Sequence, residues 1–297
     1  MEPAIELVPG VRDGLGESPL WDADAGALYR VDSLAPCVHR LPGPAGPARR
    51  WDLPSPVGSV GLGRTPRHLL CALRDGFHEL DLSSGALTPV RAVALPPDTR
   101  LNDGKMDRDG RYVCGSMQVA DDAAPGRLFQ LRADGGCAVL EEGVGVANAL
   151  CFSPDGGTMY FADSRVGALW AYPYDRGTGR VGARRVLADV HALTGSGPDG
   201  ATVDAEGFVW VALVRTGRLA RFAANGRLDR TLDLPVPHPT CPAFGGSGLD
   251  VLYVTSISRS ARMRSDHPEA GRLAAVTGLD LRGLPETRFG AAASAAA

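Results

Sequence analysis

One unit recurs along this chain: a short apolar strand, a polar turn carrying Asp and Gly, a second strand ending in small or acidic residues, and a third strand before the next turn. Six copies start at SPLWDADAGALYRVD, GLGRTPRHLLCAL, GKMDRDGRYVCGSM, ALCFSPDGGTMYFADS, GATVDAEGFVWVAL and AFGGSGLDVLYVTS. Their starts fall roughly 40 to 50 residues apart, the period of propeller blades rather than of shorter solenoid coils. Such a repeat is restrictive, because a single blade cannot bury both of its faces and must pack between neighbours until a ring closes. The expected fold is all-β: a six-bladed β-propeller, one domain over residues 1–290, with a disordered small-residue tail at residues 291–297. A segment within AIELVP is expected to pair with the last blade and close the ring. A β-sandwich is the alternative, but it does not require the same unit six times.

Local chemistry agrees with strands. LYRVD, YVCGS, MYFAD, VWVAL and LYVTS are β-branched or aromatic runs, and DADAG, DRDG, SPDGG or DAEG precedes the matching run. Helical periodicity with cap signals is nearly absent. The 38 glycines and 23 prolines suit many turns and few helices.

A net charge of -3, with Arg and Lys scattered, leaves no electrostatic footprint for a phosphate backbone, so nucleic acid is excluded as a partner. No stretch approaches the roughly 18 apolar residues of a membrane span, and MEPAIELVPG carries no basic leader. A cytoplasmic monomer acting on a small molecule, with no membrane partner, is the expectation. Cys37, Cys71, Cys114, Cys137, Cys151 and Cys241 form no C-x-x-C pair and read as buried free thiols.

If the blades surround an axis, residues at the start of each innermost strand converge on a central channel. Glu17 in GLGESPLWD, Asn102 in RLNDGK, Asn148 in GVANALCFSPDG and Asp199 in GSGPDGATVD hold equivalent places. Two carboxylates and two amide carbonyls make an oxygen-rich site for one divalent metal ion. Calcium is the first expectation, and zinc, manganese, magnesium or iron are compatible with the same donors. Each of the four, taken alone, also reads as a turn residue bonding its own backbone.

In this order, GESPLWD, RLNDGKMDRDGRYVCGSM, NALCFSPDGGTMYFADS, PDGATVDAEGFVWVA and PTCPAFGG resemble the regucalcin-like gluconolactonase family, also called the senescence marker protein family. The resemblance spans about residues 14 to 280 and extends to PEAGRLAAVTGL. It implies a six-bladed propeller with a metal in the channel and hydrolysis of sugar lactones. It further implies that Glu17, Asn148 and Asp199 ligate the metal, that Asp199 is the catalytic general base, and that Arg100 and Asn102 face the substrate, with Asn102 also able to approach the ion. Asp103 and Lys105 are expected to be structural. The chain departs from the pattern after GSM, where close relatives of regucalcin carry an acidic sugar contact. Here Gln118, Val119 and Ala120 stand before Asp121 and Asp122. Either of those aspartates replaces the contact from a shifted loop, or the substrate is less hydroxylated.

The leading expectation is a divalent-metal-dependent hydrolase that opens a sugar lactone. The same site acting on another electrophile, such as a phosphotriester or a biosynthetic intermediate, is one alternative. A non-catalytic metal-binding propeller scaffold is another. There is no G-x-S-x-G elbow and no H-E-x-x-H pair. Of the six histidines, His191 and His238 lie near segments leading into blades and border the expected mouth. Trp21, Trp51, Trp170 and Trp210 read as blade packing.

Overall fold

The polar turns that punctuate the sequence are hairpin corners held by their first aspartate. Asp22 Oδ1 accepts from the Asp24 and Ala25 amides, Asp107 Oδ1 from Asp109 and Arg111, and Asp204 Oδ1 from Glu206 and Phe208. The carboxylate satisfies backbone donors that the reversing chain leaves without a ladder partner. The structure, a computed structural model, describes residues 3–43, 46–120 and 124–291, so the tail expected at residues 291–297 lies almost wholly outside it.

The strands form six antiparallel sheets, five of four strands and one of five. Their innermost strands, in blades 1 to 6, are Gly16–Asp22, Val57–Leu62, Thr99–Met106, Ala147–Phe152, Pro198–Val203 and Pro239–Gly245. Each packs against the innermost strand of the next blade, and the sixth returns to the first. The chain is thus a six-bladed β-propeller. Ala4–Leu7 pairs with Ala274–Thr277 as the outer strand of blade 6, so the first and last strands of the chain share one sheet. The single helix among the described residues is Val190–Thr194, capped by Asp189 at one end and Gly195 at φ 72° at the other. Among the described residues no helix is long and apolar enough to cross a membrane.

The recurring unit in the sequence has three strands, yet the blades have four or more. The outermost strands, such as Arg49–Asp52 and Leu87–Ala92, carry mostly exposed or half-exposed residues. A blade's outer edge has solvent beside it and only one neighbour to pair with, so its residues need no apolar pattern. The core lies between blades. Val31, Val38 and Trp51 of blade 1 pack on Val57, Val60 and Leu69 of blade 2, and Tyr160, Leu169 and Ala171 of blade 4 pack on Val203, Val209 and Val211 of blade 5. All six cysteines are free, and burial pushes the Cys71 thiol up to about 12.

After the last strand the chain straps across the hairpin-corner end of the ring. Ala205 donates to Arg282 O, Gly283 to Leu249 O, Phe289 to Leu62 O and Gly290 to Gly110 O. Arg288 binds Asp22 at 2.8 Å. These contacts tie blades 1, 2, 3, 5 and 6 together. Leu284 and Glu286 close this end of the channel, and Glu286 Oε1 lies 2.5 Å from Lys105 Nζ on the innermost strand of blade 3. Glu286→Gln leaves a largely buried ammonium unpaired. The expected cost is about 3 kcal/mol, read as a melting temperature roughly 6–10 °C lower; an unchanged melting curve would show that the pair contributes nothing.

Candidate functional site

All six innermost strands carry the same irregularity. Each inserts one extra residue against its neighbour, between Glu17 and Leu20, Val57 and Ser59, Leu101 and Gly104, Asn148 and Cys151, Pro198 and Ala201, and Pro239 and Pro242. A bulge re-aims the residues around it. Aligned on this register, Glu17, Gly58, Asn102, Asn148, Asp199 and Thr240 form one tier around the axis. Two residues directly after this tier, Ser18 and Ala149, sit at φ 47° and 54°, which an L-residue adopts only when its surroundings impose it.

Four members of the tier are the polar residues that the sequence singles out. The other two are filled differently. A Cβ at Gly58 would come within 2.5 Å of the Asn102 Cα and carbonyl oxygen, so this place admits only glycine without moving the neighbouring strand. The Thr240 hydroxyl donates to Gly16 O and meets the Thr255 hydroxyl at 2.8 Å, which spends it on joining blade 6 to blade 1.

A hydrogen-bonded chain crosses blades 3, 4 and 5. Arg100 Nη1 donates to Asn102 Oδ1 at 2.8 Å, and Asn102 Nδ2 donates to Ala147 O at 2.9 Å and to Asn148 Oδ1 at 3.1 Å. Asn148 Nδ2 donates to Ser164 Oγ, which in turn donates to Pro198 O beside Asp199. With its NH2 group held by Ser164, Asn148 keeps its carbonyl oxygen on the side of Asn102. Ser164 is invisible to sequence reasoning because only the ring brings it between two blades. Further carboxylates fix the approaches. Asp32 accepts from the Gly14 and Leu15 amides just before Glu17 and from the Leu34 and Ala35 amides of its own turn, and Asp163 accepts from Gly145 and Val146 just before Asn148. Asp103 Oδ2 accepts from Leu150 N at 2.9 Å, clamping the blade 4 bulge from blade 3. The expected structural parts for Asp103 and Lys105 are therefore what the contacts show, and both residues also line the channel interior.

Charge in the channel is unbalanced. Burial raises the Glu17 carboxyl well above its ordinary range, and Asp199 and Asp103 add to the rise. Burial likewise raises Asp199, with Asp103 adding, while the Gly200 amide and Arg100 pull it back. Asp103 is pushed up to about 6, chiefly by burial. Against these three carboxyls stands the Arg100 guanidinium, since Lys105 is already paired with Glu286. An added cation would relieve the repulsion. Among the described residues no three His, Cys, Asp or Glu side chains cluster as a metal site, so a three-ligand set here needs an amide oxygen, which Asn148 and Asn102 offer in the same tier. Glu17, Asp199 and the Asn148 carbonyl are hard oxygen donors that fit a divalent ion of the calcium or magnesium kind.

Asp121 and Asp122 lie outside the described residues. Gln118 is buried at the end of Tyr112–Gln118, its backbone N–H donating to Gly145 O. His191 is exposed on the short helix, whereas His238 is half-buried at the start of blade 6. Trp51, Trp170 and Trp210 are buried in blade packing, and Trp21 stacks on Tyr253.

The comparisons with known proteins agree on family and fold. Residues 15–258 match the family described as SMP-30/Gluconolactonase/LRE-like region. The chain is 35% identical to a 6-deoxy-6-sulfogluconolactonase of Pseudomonas putida, covering 93% of this chain and 94% of that one. It is 35% identical to a pentonolactonase of Haloferax volcanii, covering 82% and 81%. Its fold superposes on a calcium-binding protein, regucalcin, from Agrobacterium tumefaciens with a TM-score of 0.88 at 28% identity, covering 96% and 97%. On the matched span, the repeat and the shared fold, this chain belongs to the SMP-30/gluconolactonase/LRE-like family.

Proposed function

We propose that this protein is a divalent-metal-dependent hydrolase that opens the ring of a sugar lactone, with calcium as its ion. The observation that carries the reading is the tier of Glu17, Asn102, Asn148 and Asp199, set by one bulge register, with Asn102 and Asn148 joined to Arg100 by hydrogen bonds. Two relatives at 35% identity are named for lactone hydrolysis, and a structural neighbour is named for calcium binding.

Glu17, Asn148 and Asp199 hold the ion, which when bound supplies Lewis acidity toward the lactone carbonyl and lowers the pKa of water. Asp199 takes a proton from the attacking water as the water oxygen bonds to the carbonyl carbon. The ring carbon–oxygen bond then breaks, and the ring oxygen leaves with that proton as the hydroxyl of an open-chain acid. Arg100 orients the substrate: Nη1 is committed to Leu101 O and Asn102, and its other N–H groups remain for lactone oxygens. Asn102, locked between Arg100 and Asn148, keeps the substrate wall rigid.

Acid release from five- and six-membered sugar lactones, corrected for spontaneous hydrolysis, tests this with metal-stripped protein resupplied with single divalent ions. Chelator-sensitive turnover, restored by calcium, is the expected result. No turnover on any ring, with an ion bound stoichiometrically, would overturn the lactonase reading.

A further inference from the structure

One tier above the acidic ring, toward the open mouth, only two blades present a polar side chain. In blade 3 Leu101 pairs with Ser116 ahead of the bulge, and in blade 6 Pro239 pairs with Ser256 ahead of the same bulge. The residues directly before them, Arg100 and His238, therefore hold the same register place. Leu15, Pro56, Val146 and Gly197 hold it in the remaining blades. Blades 3 and 6 are diametrically opposite in a ring of six, so the strand positions of His238 and Arg100 lie on opposite sides of the mouth.

His238 is held in place by its neighbours. Its Nδ1 lies 2.9 Å from Val214 O on blade 5, and its own carbonyl accepts from Ile257 N. Pro237 and Pro239 flank it, and a residue before proline is confined to extended backbone. A carbonyl oxygen only accepts, so Nδ1 carries the proton and Nε2 of the neutral ring presents a lone pair. The described residues offer Nε2 no hydrogen-bond partner. At the same tier of blade 5, Gly197 puts no side chain beside it.

We propose that His238 Nε2 accepts a hydrogen bond from a hydroxyl of the substrate, opposite the donors of Arg100, and so sets a preference for hydroxylated lactones. Arg100 offers only donors and His238 an acceptor, which is the complement of a ring with oxygens on one side and hydroxyls on the other. This inference rests on the lactone-hydrolase reading.

The test compares His238→Phe and His238→Gln with the parent enzyme, on the fastest sugar lactone of the panel and on unsubstituted δ-valerolactone. His238→Phe is expected to raise KM for the sugar lactone about tenfold, with kcat nearly unchanged and valerolactone unaffected. His238→Gln, whose side-chain oxygen reaches the place of Nε2, should recover most of the loss. Equal changes on both lactones, no change on either, or no recovery by Gln would overturn the proposal, because a merely structural histidine cannot tell the two rings apart. If the parent enzyme opens no lactone, the functional reading fails by itself. Calorimetric titration with an open-chain aldonate then decides on His238: binding weakened by Phe and kept by Gln supports it, and equal or absent binding overturns it.

Discussion

Asp199→Asn is expected to lower kcat on the best sugar lactone about 1,000-fold, within the range that a positioned general base contributes. The substitution keeps the shape of the side chain and its place beside the Gly200 amide, and it removes both the charge and the basic oxygen. A second readout separates this from misfolding. The Asp199 carboxyl is raised by burial and by Asp103, so its charge is a burden to the metal-free fold. The neutral amide should therefore melt at the same or a higher temperature than the parent protein in chelator, while activity collapses. Full metal-dependent turnover by the variant would remove Asp199 from the role of base, and a collapsed melting temperature would point to damage instead.

The second large effect is on stability as a function of pH. Glu17 and Asp199 keep their protons in the metal-free fold to higher pH than in the unfolded chain, because burial raises both and each carboxyl faces others. The folded state then binds more protons than the unfolded one, and stability falls as pH rises above the unfolded carboxylate range, near 4. For each pH unit over which one such carboxyl stays protonated only in the fold, the loss is about 1.4 kcal/mol. Calcium reverses the slope, since it binds the ionised pair and favours the folded state by mass action. Melting curves from pH 5 to 8 should show the chelated protein losing stability with pH while the calcium effect grows. Glu17→Gln should flatten the chelated curve and weaken calcium binding together. A chelated protein that gains stability over this range would contradict the assignment of a buried acidic pair.

Much of the candidate site was legible because it depends on local chemistry. Glu17, Asn102, Asn148 and Asp199 each stand directly ahead of an apolar strand, and comparison of the repeats places them in register without knowledge of any contact. The outer strands were not legible, because residues such as Arg49 and Arg91 need only suit an exposed edge. Gly58 and Thr240 escaped notice for a different reason. A glycine or a threonine at the head of a strand looks ordinary until its neighbour across the blade boundary is known.

The repeat, the turn aspartates and the near-absence of helical periodicity determined the propeller, because strand alternation and turn chemistry act between residues close in the chain. Tertiary structure alone decided which residues meet between blades: Ser164 between Asn148 and Pro198, Asp103 beneath Leu150, Glu286 against Lys105, and His238 against Val214. Those meetings follow from how six blades close around an axis. Closure brings together residues as far apart in sequence as Lys105 and Glu286, where no local preference of either residue encodes the other.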